Sequence, residues 1–488
     1  MTSLWHEERM LIGGNLVPSA DGATFENINP ATEEVIGMAA DGSAADMEAA
    51  VTAARTAFDT SDWSTNVPFR LHCLRQLHEG MLRHADEFSD TLVAEVGTPV
   101  LLINGPQFAT PVGSITWVAD LLERYVWETD LGEVEVYGSK TRRTLRREAT
   151  GVVGAITPWN FPVQINLAKC VPALAAGNTV VLKPAPDTPW AASLLGRIAH
   201  EETDLPPGVL NVVTSADHLI GQQLSEDPRV DLVSFTGSTA TGRKVMVAAA
   251  QTIKKVFLEL GGKSAYVVLD DADIANAVAG VAFQITAHAG QGCAVTSRLL
   301  LPRDRFDEGV EAVVAVLAGF TYGDPTDPST MMGPLISERQ RQRVLGYIDK
   351  GIEQGATAVL GGGVPAHLGR GYFVEPTVLV GVERGAVVAQ EEIFGPVLVV
   401  QPYDGDDDAV ALANDSIYGL SGAVVGESLE RARSVARRIR TGTISVNGGM
   451  YYSPDVPFGG YRQSGIGREM GVAGFEEYLE IKSLAERS

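Results

Sequence analysis

The hydrophobic positions of this chain change their period twice. Up to about Tyr125 apolar residues recur at helical spacing. Met47, Val51, Ala54 and Phe58 share one face, and Ser43 with Asp46 makes a capping box ahead of them. A helix from about Ala44 is therefore the first regular element expected. Next, Gly132-Glu-Val-Glu-Val-Tyr-Gly138 alternates like an exposed strand, and 141–148 can pair with it. Such a polar two-stranded arm suits an oligomer contact. From Gly151 the strands become short and almost wholly apolar: 151–156, 179–182, 209–213, 232–235 and 256–258. Helical stretches separate them, the pattern of a parallel sheet with crossover helices. Gly177-Asn178 should end one helix, and Thr188 should cap the next, with Pro189 at its first position. A second alternating set follows, with strands expected at 265–269, 299–301, 377–380, 397–401, 422–425 and 442–446. The boundary near Gly261-Gly262 puts Glu259 and Cys293 on opposite sides of a cleft. Ligands of such sheets lie at the strands' carboxyl ends, where Asn160, Lys183, Gly237 and Glu259 fall.

Composition narrows the function. A chain of 488 residues exceeds one compact core, so two or three domains are expected. A net charge of −23 argues against nucleic acid, and only Arg142-Arg143 with Arg146-Arg147 forms a basic cluster. No run reaches the roughly 18 apolar residues of a membrane span, and the first residues lack a signal-peptide core. A cytoplasmic enzyme with no membrane partner is the expectation. Three cysteines exclude a disulfide scaffold, and the eight histidines show no metal-ligand spacing, so no metal is expected.

Several segments carry candidate chemistry. Cys293 in Ala289-Gly-Gln-Gly-Cys-Ala-Val295 sits among small residues and reads either as a nucleophile or as a buried structural thiol. Cys170 and Cys73 lie in helical stretches and read as core, and His288 reads as structural rather than as a base. Glu259, within an apolar strand before two glycines, is a general-base candidate whose pKa burial would raise; an ion pair with Lys263 is the alternative. Phe235-Thr-Gly-Ser-Thr-Ala-Thr-Gly242 opens a helix after a strand and suits phosphate oxygens. Asn160, between Pro158 and Pro162, offers a fixed amide donor for an oxyanion, or serves as a turn residue.

In order, PWNFP, KPAP, FTGS, LELGGKS, GQGC, EEIFGPV and PFGGY span nearly the whole chain, and together they resemble the aldehyde dehydrogenase superfamily of the non-phosphorylating, hydrolytic type. The resemblance implies an α/β fold with a Rossmann-like cofactor domain (1–126 and 150–261), an α/β catalytic domain (262–473) and a small β oligomerisation arm (127–149 and 474–488). It also implies a homodimer or homotetramer. By resemblance Cys293 is the nucleophile, Glu259 the base, and Asn160 with the Cys293 N–H the oxyanion hole. Ile156, Thr157, Pro158, Trp159, Lys183, Gly237, Ser238, Glu392 and Phe394 would line the NAD site. Pro186 stands where a cofactor-selecting glutamate often lies, which leaves NADP open. Phe161, Ile165, Ala168, Gly292, Ala294, Met450, Tyr451 and Tyr452 resemble the substrate tunnel. None is charged, so an uncharged, fairly apolar aldehyde is expected. Two rival readings are a coenzyme A-acylating dehydrogenase and a catalytically silent protein on the same fold.

Overall fold

A computed structural model describes residues 7–487. The first sheet has eight strands, ordered Gly465–Ile466, Lys255–Glu259, Leu232–Thr236, Val152–Ile156, Thr179–Lys183, Leu210–Val212, Met10–Ile12 and Asn15–Val17. Its five central strands are parallel, and the outer ones are antiparallel additions. Alternate residues feed two cores. Val153, Ala155, Val180 and Leu182 pack under the helices Pro162–Ala176 and Pro189–Glu202; Val152 and Val181 pack under Ala44–Thr60 and Leu219–Glu226. Burial on both faces is why these strands read as unbroken apolar runs. The second sheet runs Thr357–Leu360, Thr377–Val380, Val397–Tyr403, Arg298–Pro302, Ala265–Val268, Gly422–Val425 and Ser445–Val446, parallel except at its first edge.

Four expectations need correction. The helix Ala44–Thr60 is present, with its capping box, but it is not the first element. Met10–Ile12, Asn15–Val17, Thr24–Ile28 and Val35–Ala40 precede it. These strands are three to six residues long, too short for a period of two to emerge. The strand expected at 442–446 shrinks to Ser445–Val446, and at Gly442 a Cβ would collide with the Gly459 carbonyl. Thr188 occupies the cap position, yet its hydroxyl makes no capping bond. Glu95, from the helix Ala85–Val96, accepts the N–H groups of Trp190 (3.0 Å) and Ala191 (2.8 Å) instead. Finally, the arm has three strands. Glu128–Val136 pairs with Ser139–Ala149, whose other edge pairs with Leu479–Arg487 in register from Leu479 opposite Ala149 to Arg487 opposite Thr141. The basic cluster lies here, with Arg142 on Asp130 (2.6 Å) and Arg147 on Glu476 (3.3 Å).

Candidate active site

Glu259 is the last residue of its strand, and two glycines follow. A Cβ at Gly261 would lie 2.2 Å from the Glu392 carboxyl, and one at Gly262 would lie 2.8 Å from the Cys293 carbonyl. These two positions must be bare for the second half of the chain to approach the first. The Gly262 N–H then donates to Glu392 Oε1 at 2.9 Å. Glu259 itself is buried, and neither of its oxygens has a hydrogen-bond partner among the described residues. Burial, and then the charge of Glu469, holds its carboxyl well above the usual range, against the pull of Lys169 and Arg468. The Lys263 ion pair does not form. That ammonium is buried, is pushed down to about 7 by burial, and faces Arg298 and Glu392.

Cys293 lies in the loop before the strand Arg298–Pro302 and is half-buried, whereas Cys73 and Cys170 are in the core. Burial raises the Cys293 thiol above its ordinary value, and the nearby carboxyls of Glu259, Glu392 and Glu469 raise it further. The resting group is therefore a thiol with carboxyls around it. His288 and Ala289 both hold φ of 51°, a strained conformation for residues bearing a Cβ. At the next position, Gly290, a Cβ would strike the Gly395 carbonyl at 2.3 Å. The His288 ring packs on Phe161 (5.2 Å between centroids), and burial lowers its pKa to about 4, so it stays neutral as a structural residue.

Asn160 follows the strand Val152–Ile156. Its Nδ2 donates to the Gln291 carbonyl at 2.8 Å, and its own backbone carbonyl accepts from Gln107 at 3.2 Å. Gln291 is fixed in turn, accepting the Ile336 N–H at 2.9 Å. The Asn160 amide is thus pinned by one N–H, leaving its other for a ligand.

Lys169, Glu469, Gln107 and Gln291 were not singled out in the sequence. Lys169 is fully buried; it donates to Glu469 Oε1 (2.9 Å) and Ser234 Oγ (3.0 Å), with its ammonium 4.8 Å from the Phe257 ring centre. A lysine within the apolar run Leu167 to Leu174 was the available signal, since such burial demands a partner.

On the opposite side, Ser238 caps the helix Thr239–Ala250, accepting the Thr241 N–H at 3.2 Å. Gly237 donates to the Glu259 carbonyl at 3.0 Å, and a Cβ there would meet the Phe235 ring at 2.6 Å. Lys183 Nζ donates to the Ser215 carbonyl at 3.1 Å; burial lowers it to about 8, opposed by Asp187, Asp217 and Asp41. Ile156 ends its strand, followed by Thr157, whose hydroxyl is committed to Asn166 at 2.7 Å, and Pro158. Trp159 meets Phe394 edge to face at 5.3 Å, one from each half of the chain. A helix N-terminus, an ammonium, an aromatic pair and the Glu392 carboxyl are groups of the kind that hold a dinucleotide. Among the described residues no cluster of three metal-binding side chains occurs.

Of the tunnel positions, Phe161 faces Gly292, where a Cβ would be 4.0 Å from its ring. Ile165 is buried, and Ala168 borders a cavity. The Ala294 carbonyl accepts from Ser421 Oγ at 2.6 Å. Tyr451 and Tyr452 both neighbour the Cys293 sulfur, and Tyr452 packs on Phe458. Met450 differs from expectation: it is 87% exposed, because the Asn447-Gly448-Gly449 turn, with φ of 50° and 77° at its first two residues, carries it outward.

Residues 16–484 match the aldehyde dehydrogenase family. A Pseudomonas 3-succinoylsemialdehyde-pyridine dehydrogenase is 43% identical over 97% of each chain. Among solved structures, an aldehyde dehydrogenase from Mycobacterium tuberculosis complexed with NAD+ is 42% identical, with a TM-score of 0.94 over 98% of both chains. A mutant of aldehyde dehydrogenase C from Pseudomonas syringae, complexed with NAD+ and octanal, is 39% identical, with a TM-score of 0.93 over 98% of this chain and 96% of that one. By the extent of these matches, the chain belongs to the aldehyde dehydrogenase family.

Proposed function

We propose that the protein oxidises an uncharged, fairly apolar aldehyde to its carboxylic acid, with NAD as hydride acceptor and a covalent intermediate on Cys293. The observation that carries this reading is the Glu259 carboxyl: buried, unpartnered, of raised pKa, and next to a thiol. The thiol's own pKa lies above its ordinary value, so attack on the aldehyde carbon requires an acceptor for its proton, which the Glu259 carboxylate provides. The free N–H of Asn160 and the Cys293 backbone N–H hold the oxygen that becomes negative. When bound, the cofactor supplies the hydride acceptor. Loss of hydride from the adduct leaves a thioester on Cys293. Once Glu259 has released the thiol's proton to solvent, its carboxylate takes a proton from water, whose oxygen attacks the thioester. The acid is released and the departing Cys293 sulfur regains its proton from Glu259; such positioned base catalysis typically contributes about 10²–10⁴-fold. Hydrolysis rather than transfer to coenzyme A is the fate that Glu259 favours.

NAD use rests on the NAD+ complexes of the similar structures and on the cofactor-side residues Lys183, Ser238, Trp159, Glu392 and Phe394. Residues 1–126 and 150–261 are proposed as the cofactor domain, 262–473 as the catalytic domain, and 127–149 with 474–488 as a homo-oligomerisation arm. A cytoplasmic location agrees with three unpaired cysteines. An apolar substrate agrees with the octanal complex of the Pseudomonas syringae enzyme and with the uncharged tunnel wall. The test is NADH production from a panel of aldehydes. Cys293→Ala should abolish it, while Glu259→Gln should preserve a burst of NADH and accumulate acyl-enzyme visible by mass spectrometry. Full turnover by Cys293→Ala would end the proposal, as would preference for succinate semialdehyde over benzaldehyde for its substrate part.

A further inference from the structure

Gln107 is an unusual residue for its surroundings. Its side chain is completely buried, and its carbonyl Oε1 has no hydrogen-bond partner among the described residues. Its Nε2 donates to the Asn160 backbone carbonyl at 3.2 Å. A methionine would fill the same space. It would orphan the Asn160 carbonyl but spare the unpaired Oε1, so stability alone gives glutamine no advantage. The segment that carries it is firmly seated. Ile103–Gln107 is a short, wide helical turn with non-helical backbone at Gly105 (φ −133°, ψ −122°), and the Phe108 N–H closes it on the Ile103 carbonyl. Ile103 and Phe108 belong to the first core, with the Phe108 ring 5.1 Å from that of Phe88.

The partner of this amide is the residue proposed above to hold the oxyanion. Pro158 and Pro162 stiffen neighbouring positions but leave the φ and ψ of Asn160 itself free. A peptide group is planar, so holding the Asn160 carbonyl constrains ψ and, with it, the direction in which the side chain leaves the backbone. The far end of that side chain is held separately, by Nδ2 donating to the Gln291 carbonyl at 2.8 Å. Gln291 is anchored by its own amide, which donates to the His288 and Pro334 carbonyls at 3.1 and 3.3 Å and accepts the Ile336 N–H. The His288 ring also lies by the Asn160 backbone, yet neither of its nitrogens is hydrogen-bonded among the described residues. Gln107 thus grips the backbone of Asn160, and Gln291 its amide.

We propose that Gln107 is a positioning residue for aldehyde oxidation: it aims the free N–H of Asn160 at the oxygen that becomes negative. The proposal rests on the aldehyde-oxidising reading above and gives the turn before the helix Ala109–Arg124 a part in it.

The experiment measures kcat/KM for benzaldehyde at saturating NAD in the wild type and Gln107→Met, each with and without Asn160→Ala. Removing one oxyanion donor typically costs about 10²–10³-fold, and a donor kept but badly aimed should cost part of that, about tenfold. Beside Asn160→Ala there is nothing left to aim, so Gln107→Met should change the residual rate by less than about twofold. Two further readings separate aim from general damage. Gln107→Met exchanges one orphaned acceptor for another, so the thermal midpoint should stay near that of the wild type. Cys293 should react with iodoacetamide at the wild-type rate, since that alkylation develops no oxyanion. A loss of rate that persists beside Asn160→Ala, or that comes with slower alkylation or lost stability, would overturn the proposal, as would full activity of Gln107→Met. Absence of NADH from every aldehyde tried with the wild type would defeat the underlying reading, and the proposal with it.

Discussion

Burial raises the proton affinity of Glu259 most, and two neighbours of opposite sign then adjust it. Glu469 raises it and Lys169 lowers it, and these two are hydrogen-bonded to each other. Because the deprotonated carboxylate is the working base, acid release should increase with pH through a limb above the usual carboxylate range. Glu469→Gln removes the raising charge and leaves Lys169 unopposed, so the limb should move down. Lys169→Met should move it up. The check is the rate of acid release from preformed acyl-enzyme between pH 5 and 9; shifts of both variants in one direction would refute the assignment. Cofactor choice is also a residue-scale question. Pro186 offers no carboxylate, but Asp187, Asp217 and Asp41 all act on Lys183, so a 2′-phosphate brought to Lys183, as the proposed cofactor site would have it, meets negative charge. NAD should be preferred, and Asp217→Asn should raise kcat/KM for NADP by roughly three- to tenfold. No response of NADP turnover to that substitution would place selectivity elsewhere.

At the scale of elements, what could be read in advance follows from sequence distance. The parallel strands were legible because burial on both faces writes them as continuous apolar runs; Asn160, Glu259 and Cys293 could be singled out as candidates because each sits in a short local motif. The strands before Ala44 were not legible, since segments of three to six residues carry too little pattern. The Lys169–Glu469 pair joins residues 300 positions apart, and no local rule connects them. The cap of the helix Pro189–Glu202 is similar: Thr188 is the local candidate, yet Glu95 does the capping from another helix. Glu95 also accepts from Asn27 Nδ2 at 2.9 Å. All three partners are donors spread over both carboxyl oxygens, so Glu95→Gln would turn an amide N–H toward a donor. Both Glu95→Ala and Glu95→Gln should therefore destabilise the fold, each by about 1–3 kcal/mol in chemical denaturation. Full retention of stability by the glutamine variant would show that the capping charge and its second oxygen are dispensable.

In the whole molecule, one stretch of chain ties the reactive carboxylate to the arm. Gly459 touches Glu259, Gly465 pairs with Glu259 at the sheet edge, Glu469 holds Lys169, and Phe475 and Tyr478 enter the first core. The chain then leaves as the strand Leu479–Arg487, exposed at every position after the first. Three antiparallel strands with Ile481, Leu484, Leu131 and Val136 open to water are a poor independent unit, since such a sheet needs one face covered. A second copy of the chain is the cover proposed above. Wild-type protein should then sediment as a species larger than the 51.8 kDa chain, and Ile481→Glu with Leu484→Glu should reduce its size. Because Glu469 and Gly465 lie just upstream of the loosened strand, the smaller species should also lose kcat more than it gains KM. A wild type sedimenting as a single chain at micromolar concentration would remove the arm from the assembly, and would leave its exposed apolar rows without a covering partner.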